Sequence, residues 1–239
     1  VLGTQNLIDV AIEKEVSKVI FASSDKAVNP SSVMGSTKKL CERLVSAANY
    51  YRGNRKTVFA SVRFGNVIGS RGSVVPLFEK QIREGGPLTI TDLNMTRFVM
   101  SMHQALKLLF KATEMAQCGE VFVFKMPAIK ISDLAEVIIE ELAPKYGYKP
   151  CQIKIKILGR RPGEKLHEEL MTEEEANHAL EAKDMFIVLP EMKELFVKIA
   201  HRYPNTRPTA LKSYRSGDAY LLKKEEIKKM LKEGYIIES

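Results

Sequence analysis

Apolar positions in this chain fall into two alternating patterns. Between Asn6 and Val16, residues Leu7, Ile8, Val10, Ala11 and Ile12 recur at the spacing of one helix face. Lys18-Val19-Ile20-Phe21-Ala22-Ser23 is instead a short continuous apolar run, the pattern of a strand buried on both faces. Gly35 to Tyr51 returns to helical periodicity, and Thr57-Val58-Phe59-Ala60-Ser61-Val62-Arg63 reads as a second buried strand. Helix, strand, helix, strand at these lengths predicts a parallel α/β sheet. Ligands of such sheets bind beyond the carboxyl ends of the strands, so chemistry is expected just after Ala22 and just after Val62.

Beyond Gly65 the rhythm changes. Pro76 to Glu84, His103 to Ala116 and Ser132 to Tyr146 carry helical patterns, with Ser132 placed as an N-cap before Leu134, Ala135, Val137 and Ile138. Val121-Phe122-Val123-Phe124 reads as a strand that returns to the sheet, and Gln152 to Leu158 alternates like a strand. Lys223 to Lys232 reads as a charged helix around an apolar stripe of Ile227, Met230 and Leu231. The prediction is an α/β sheet over residues 1–70 with a smaller α+β lobe, mainly 71–239.

Composition narrows the picture. Of 239 residues, 45% are apolar and 28% charged, an ordinary globular balance. No run approaches the roughly 18 apolar residues of a membrane span. Three scattered cysteines argue against a disulfide framework and fit a reducing cytoplasm. Four histidines without close pairs leave no zinc-ligand spacing, so no metal is expected. The formal charge of +8 points to an anionic partner. Nucleic acid is the minor reading, since no RNP-like aromatic motif, recognition helix or zinc finger accompanies the charge. Neither a G-x-G-x-x-G loop nor a P-loop occurs; Gly65, Gly69 and Gly72 have the wrong spacing.

Ser23-Ser24-Asp25-Lys26-Ala27-Val28-Asn29-Pro30 follows the first strand. Asp25 can donate or accept a proton, and Lys26, held near apolar surface, can act as a base. Spacing alone reads the same residues as a polar loop with an Asx turn. Met34 and Lys38 stand one turn apart on a helix face, by themselves core packing and a surface lysine. After the second strand, Arg63-Phe64-Gly65-Asn66-Val67-Ile68-Gly69-Ser70-Arg71-Gly72-Ser73-Val74-Val75-Pro76 holds small residues that let backbone amides approach an oxygen-rich ligand, or else forms a Gly-Ser surface turn. Thr89, Thr91 and Arg97 lie on a short strand and beyond it. Arg160-Arg161-Pro162-Gly163-Glu164-Lys165 is a charge run broken by a defined turn. His103 and His167 read as capping or surface groups.

Five stretches carry a resemblance: GTQNLIDVA, SSDKAVNPSSVMGSTKKLCE, VRFGNVIGSRGSVVPLFEKQI, GPLTITDLNMTRFVM and RRPGEKLHEEL. In content and order the chain resembles the extended short-chain dehydrogenase/reductases, and among them the UDP-N-acetylglucosamine 4,6-dehydratases of surface-polysaccharide biosynthesis. The resemblance implies the later part of a Rossmann-type sheet, the early βαβ units lying ahead of Val1. It implies NADP or NAD as cofactor, a UDP-sugar such as UDP-N-acetylglucosamine as substrate, and a homo-oligomer. Hydride leaves sugar C4, water is eliminated across C5 and C6, and the hydride returns at C6. Asp25 would assist departure of the C6 hydroxyl and Lys26 would handle the C5 proton. Lys38 would hold the nicotinamide ribose, with Ala22, Ser23, Met34 and Val67 lining the cofactor. Asn66, Ser73, Val74, Val75, Thr89 and Thr91 would contact the sugar-nucleotide, as would Tyr214 from a weaker matching segment. Arg97 and Arg161 fall to the phosphates and Glu164 to the ribose.

One departure stands out. Most short-chain dehydrogenases carry Tyr four residues before the Lys, and here that position is Met34, which has no proton to exchange. Lys26, or a water held by Asp25 and Ser24, is the expected substitute base. The alternatives are a UDP-sugar 4-epimerase and a catalytically inactive UDP-sugar-binding domain.

Overall fold

A computed structural model of the chain describes residues 1–70, 73–190 and 203–233; Arg71 and Gly72 of the glycine-rich turn lie outside the described residues. In chain order the elements are α1 (Leu2–Glu13), β1 (Lys18–Ser24), α2 (Val33–Tyr51), β2 (Val58–Phe64), β3 (Asn66–Val67), α3 (Val74–Arg83), β4 (Leu88–Ile90), β5 (Thr96–Met100), α4 (Met102–Met115), β6 (Val121–Phe124), β7 (Ala128–Lys130), α5 (Ile131–Leu142), β8 (Ile155–Ile157), β9 (Glu169–Met171), α6 (Glu173–Ala176), β10 (Ala179–Glu181), β11 (Met185–Val188), β12 (Arg207–Pro208), β13 (Tyr214–Arg215) and α7 (Lys224–Glu233). They fold as two compact units. The first comprises Val1–Phe64, Leu106–Lys125 and Glu169–Arg215; the second comprises Gly65–Ala105, Met126–Glu168 and the described part of Ser216–Ser239.

The first unit is built on a sheet of order β1-β2-β6-β11-β10-β12. β1, β2 and β6 run parallel, in register from Lys18↔Val58 to Ser24↔Phe64 and from Ser61↔Val121 to Arg63↔Val123. The returning strand expected at 121–124 is thus β6. The sheet then recruits more of the later chain than a division at residue 70 provides, because β11 pairs antiparallel with β6 and β10 with β11. Ile8 and Ala11 of α1, Val45 and Ala48 of α2 and Phe59 of β2 form one core cluster. Burying a side chain such as Phe59 or Phe122 contributes about 1.5–3 kcal/mol, which is why the apolar runs become the central strands. Asn49 ties α2 to β2 from within this core: its amide donates to Phe59 O at 2.9 Å and accepts from Phe59 N at 3.1 Å. One expectation is corrected. β1 is not buried on both faces: Ala22 is exposed and Lys18 to Phe21 are half-buried, because β1 ends the row and only β2 pairs with it among the described residues.

The second unit packs α3, α5 and α7 with short strands, β3 parallel to β5, β5 antiparallel to β7, and β4 parallel to β8. Its core gathers Val75, Phe78, Ile82, Leu88, Leu134, Ile138, Ile227 and Leu231, so the stripe read around Ile227 is the buried face of α7. Helix α5 stops at Leu142, short of the expected Tyr146, and Pro144 opens a separate 3-10 turn. Its N-cap is Lys130, not Ser132; the Ser132 hydroxyl donates to Leu93 O instead. Of the stretch 152–158 only Ile155–Ile157 is strand. No helix among the described residues is long and apolar enough to cross a membrane.

Candidate functional site

In the first unit the chain leaves β1 at Ser24, whose Oγ accepts from Lys26 N at 3.2 Å and starts the 3-10 turn Asp25–Ala27. Ala27 and Val28 are fully buried and hold the turn down. Asp25 is left with a 6% exposed side chain and Lys26 with one 44% exposed, so the carboxylate is nearly enclosed while the amine reaches outward. Lys26 Nζ lies 3.1 Å from Asp25 Oδ1 and 3.2 Å from Oδ2, one proton donor against both carboxylate oxygens.

Helix α2 begins against this turn. Ser32 caps it by accepting from Gly35 N, and Gly35 packs so closely that an added Cβ would lie 2.3 Å from Lys26 O and 3.0 Å from Pro30 Cβ. Only glycine permits that approach. Gly35→Ala is therefore expected to displace the Asp25-Lys26 turn and to lower Tm by several degrees, about 1–3 kcal/mol for an overpacked contact. Thermal unfolding by circular dichroism checks this, and an unchanged Tm would contradict it.

One turn further along, Lys38 donates to Ala22 O at 2.9 Å and stands 4.8 Å over the ring of Phe21. That cation is fixed at the carboxyl end of β1 by a carbonyl and an aromatic face. Met34 on the preceding turn is 49% exposed. Ser23, beside them, is buried, and its Oγ has no hydrogen-bond partner.

In the second unit a carboxylate organises the predicted residues. Glu168, buried, receives the Asn66 amide at 3.0 Å on each oxygen and Phe98 N at 3.0 Å, and lies 3.4 Å from Arg97 Nε. Arg97 also donates to Thr96 O at 2.7 Å and stands 3.7 Å from Glu164, which accepts from Thr91 at 3.2 Å. Gly65 lets β3 come this close to β5, since a Cβ there would meet Phe98 Cβ at 2.5 Å. The structure thus brings Asn66 and Arg97 to Glu168, a group that sequence reasoning missed, and links Glu164 and Thr91 to them through Arg97. The only signal was the first Glu after L-H in the R-P-G-E-K-L-H-E-E string.

Other predicted residues have different surroundings. Val75 is in the core of its unit, and Val74 packs against that core, because their helix faces α5. Thr89 is committed to α3, its hydroxyl accepting from Gln81 and its N–H donating to Gln81. Val67 pairs with Met100. Arg161 is exposed, its N–H donating to Glu164 across the Pro-Gly turn. Tyr214, in the first unit, pairs with Met171 and sets its ring edge-on to Phe186 at 5.2 Å. His167 has a partner after all: Nδ1 lies 2.8 Å from Thr96 Oγ1, which lies 2.7 Å from Ser216 Oγ.

Ser73 occupies the N-cap of α3 yet makes no capping bond, and its buried Oγ is unpartnered. Among the described residues, Ser23 and Ser73 carry the two buried side-chain polar atoms without a partner. Buried hydroxyls are normally satisfied, so the two are exceptions to the rule. One stands at a parallel-strand end and the other at a helix N-terminus, where anions are favoured.

Several known proteins are similar to this chain. An uncharacterised membrane protein of Methanocaldococcus jannaschii is 54% identical over 98% of the chain and 67% of its own length. A UDP-N-acetylglucosamine 4,6-dehydratase (inverting) of Campylobacter jejuni is 42% identical over 80% of the chain. A UDP-glucose 4-epimerase of Rickettsia rickettsii is 37% identical over 97%. The chain spans 54% of that dehydratase and 66% of that epimerase. The X-ray structure of Pen from Bacillus thuringiensis superposes with a TM-score of 0.87 at 43% identity, covering 99% of the chain and 68% of Pen. Residues 1–190 match the family model described as polysaccharide biosynthesis protein, and the chain belongs to that family.

Proposed function

We propose that this chain forms part of a nucleotide-sugar 4,6-dehydratase acting on UDP-N-acetylglucosamine in surface-glycan biosynthesis. The observation that carries the reading is the Asp25–Lys26 pair at 3.1 Å, set on a rigid turn at the carboxyl end of a parallel strand. Elimination moves one proton from C5 to the departing C6 oxygen. In this reading the C5 proton goes to Lys26, and Asp25 supplies the proton with which the C6 hydroxyl leaves as water while C5=C6 forms. The proton taken up by Lys26 replaces the one Asp25 gives, passing along their shared hydrogen bond, so the pair ends the elimination as it began it. The C4 hydroxyl proton released to water when hydride leaves is matched by the proton that C5 takes up when hydride returns to C6, so no charge accumulates over the cycle.

A bound nicotinamide dinucleotide supplies hydride acceptance at C4 and hydride return at C6. The residues at the end of β1 fit its nicotinamide end: Lys38 offers a fixed ammonium and Ser23 an unpartnered hydroxyl. In the second unit Arg97 and the Ser73 hydroxyl suit the diphosphate, and Asn66 the sugar-nucleotide. Arg97 is already balanced by Glu164 and Glu168, so it is preoriented rather than free-swinging.

A second reading, 4-epimerisation, is favoured by the Rickettsia relative. NMR of the complete protein with UDP-N-acetylglucosamine and NADP or NAD separates the two. A 4-keto-6-deoxy product is expected; a C4 epimer with C6 still hydroxylated would establish epimerisation, and no conversion would leave a binding domain.

A further inference from the structure

The Asp25-Lys26 turn is fixed at its front by Ser24 and Gly35. Its far end is held by a different device. Asn29 takes a left-handed backbone conformation, φ 42°, and its amide donates to Glu169 Oε2 at 2.7 Å. Glu169 is 8% exposed and lies on β9, where Leu170 and Met171 are fully buried. Its other oxygen accepts from Arg215 Nε at 3.2 Å. β9 is itself anchored, because the buried Arg63 donates to Leu170 O at 3.2 Å. A buried carboxylate needs its donors, and a charge-assisted bond of 2.7 Å is a strong one. The loop end is thus tied to a strand held by its buried side chains and by Arg63.

We infer that Glu169 is a positioning residue for the acid–base pair, acting through Asn29 to hold the turn that carries Asp25 and Lys26. Neither Glu169 nor Asn29 touches substrate in this scheme, which rests on the dehydratase reading above. Glu169 sets where Lys26 stands relative to the C5 hydrogen, a distance on which proton transfer depends steeply. The bond joins residues 140 positions apart, so the turn acquires its final geometry only once β9 has docked.

The test uses three variants of the complete protein: Asn29→Gly, which keeps the left-handed backbone and deletes the amide, Glu169→Gln, which keeps size and removes charge, and the double variant. Expected for each single variant is a fall in kcat of up to about 10²-fold with KM for the UDP-sugar unchanged, the cost of a small misplacement near the chemistry. The double variant should be no worse than the poorer single one, since the two residues act as one unit. Amide hydrogen exchange over residues 24–30 should quicken in all three, a readout independent of turnover. Additive losses, or unchanged kcat and exchange with only a lowered Tm, would overturn the inference. Lys26→Ala measured alongside separates the two failures. Normal turnover there overturns the acid–base assignment on which the inference rests, whereas lost turnover there with kcat intact in Asn29→Gly overturns the positioning role alone.

Discussion

Lys26→Ala in the complete protein should reduce turnover by about two to four orders of magnitude, the range that a positioned acid or base supplies. UDP affinity measured by calorimetry should stay near that of the parent, because the Lys26 side chain is 44% exposed and its pairing is with Asp25 rather than with the groups proposed for the diphosphate. Lys26→Arg sharpens the assignment. A guanidinium preserves the positive charge but stays protonated at any working pH, so it cannot collect the C5 proton. Failure of Arg to restore turnover therefore identifies a base, while substantial rescue would mean that Lys26 acts only through its charge. Asp25→Asn keeps the shape of the carboxyl group and removes the transferable proton, and should be comparably slow. Near-normal steady-state rates in Lys26→Ala would remove the acid–base pair from the mechanism.

Much of this arrangement is legible in the sequence because it is local. The apolar runs at 18–23, 57–63 and 121–124 are too short for helices and too continuous for surface strands, and they became β1, β2 and β6. The Asp25-Lys26 turn follows directly from the end of a strand. What the sequence could not display is burial that depends on neighbours, as in β1, whose apolar run ends a row instead of filling its centre. Nor does it display polar bonds that close over long separations. Asn66 and Arg97 looked like residues aimed at a ligand, yet in the folded unit they converge on Glu168, 102 residues beyond Asn66. Consecutive glutamates after Leu166-His167 carry no pattern that announces burial. Yet Glu168 and Glu169 are both buried, each collecting donors from a different part of the sequence.

Arg63 is the extreme case of a role hidden from sequence. It closes the apolar run read as the second buried strand, with nothing nearby in sequence to name its partners. In the structure it is 1% exposed, with Glu42 accepting from Nε at 2.8 Å and from Nη2 at 2.7 Å, and Glu175 from Nη1 and Nη2 at 2.7 Å each. Burial alone would lower its pKa, but these two carboxylates outweigh that and raise it well above the usual arginine range. Glu175 mirrors this: burial opposes its ionisation, yet hydrogen bonding and attraction from Arg63, with help from Lys39 and the Thr172 N–H, hold it far below the usual carboxylate range. Arg63→Met should thus cost about 3–5 kcal/mol, because it leaves two buried carboxylates with only the half-buried Lys39, 3.0 Å from Glu175, beside them. That is a large share of the roughly 5–15 kcal/mol typical of a domain. The triple variant Arg63→Met, Glu42→Leu, Glu175→Leu should recover most of the loss, since apolar replacements leave no uncompensated charge. The pH dependence follows from the depressed Glu175. Its contribution is complete above the ordinary carboxylate pKa and is lost only as pH falls toward its much lower folded value, so acidification from pH 7 to pH 5 should leave that contribution of the parent chain intact. In Arg63→Met Glu175 loses its main partner while staying buried, so its carboxyl is pushed upward instead and takes up a proton on folding. The gap between variant and parent should consequently narrow as pH falls over the same interval. Urea unfolding at both pH values measures it, and a single-variant loss below about 1 kcal/mol, the scale of an exposed pair, would show the cluster to be solvated rather than buried.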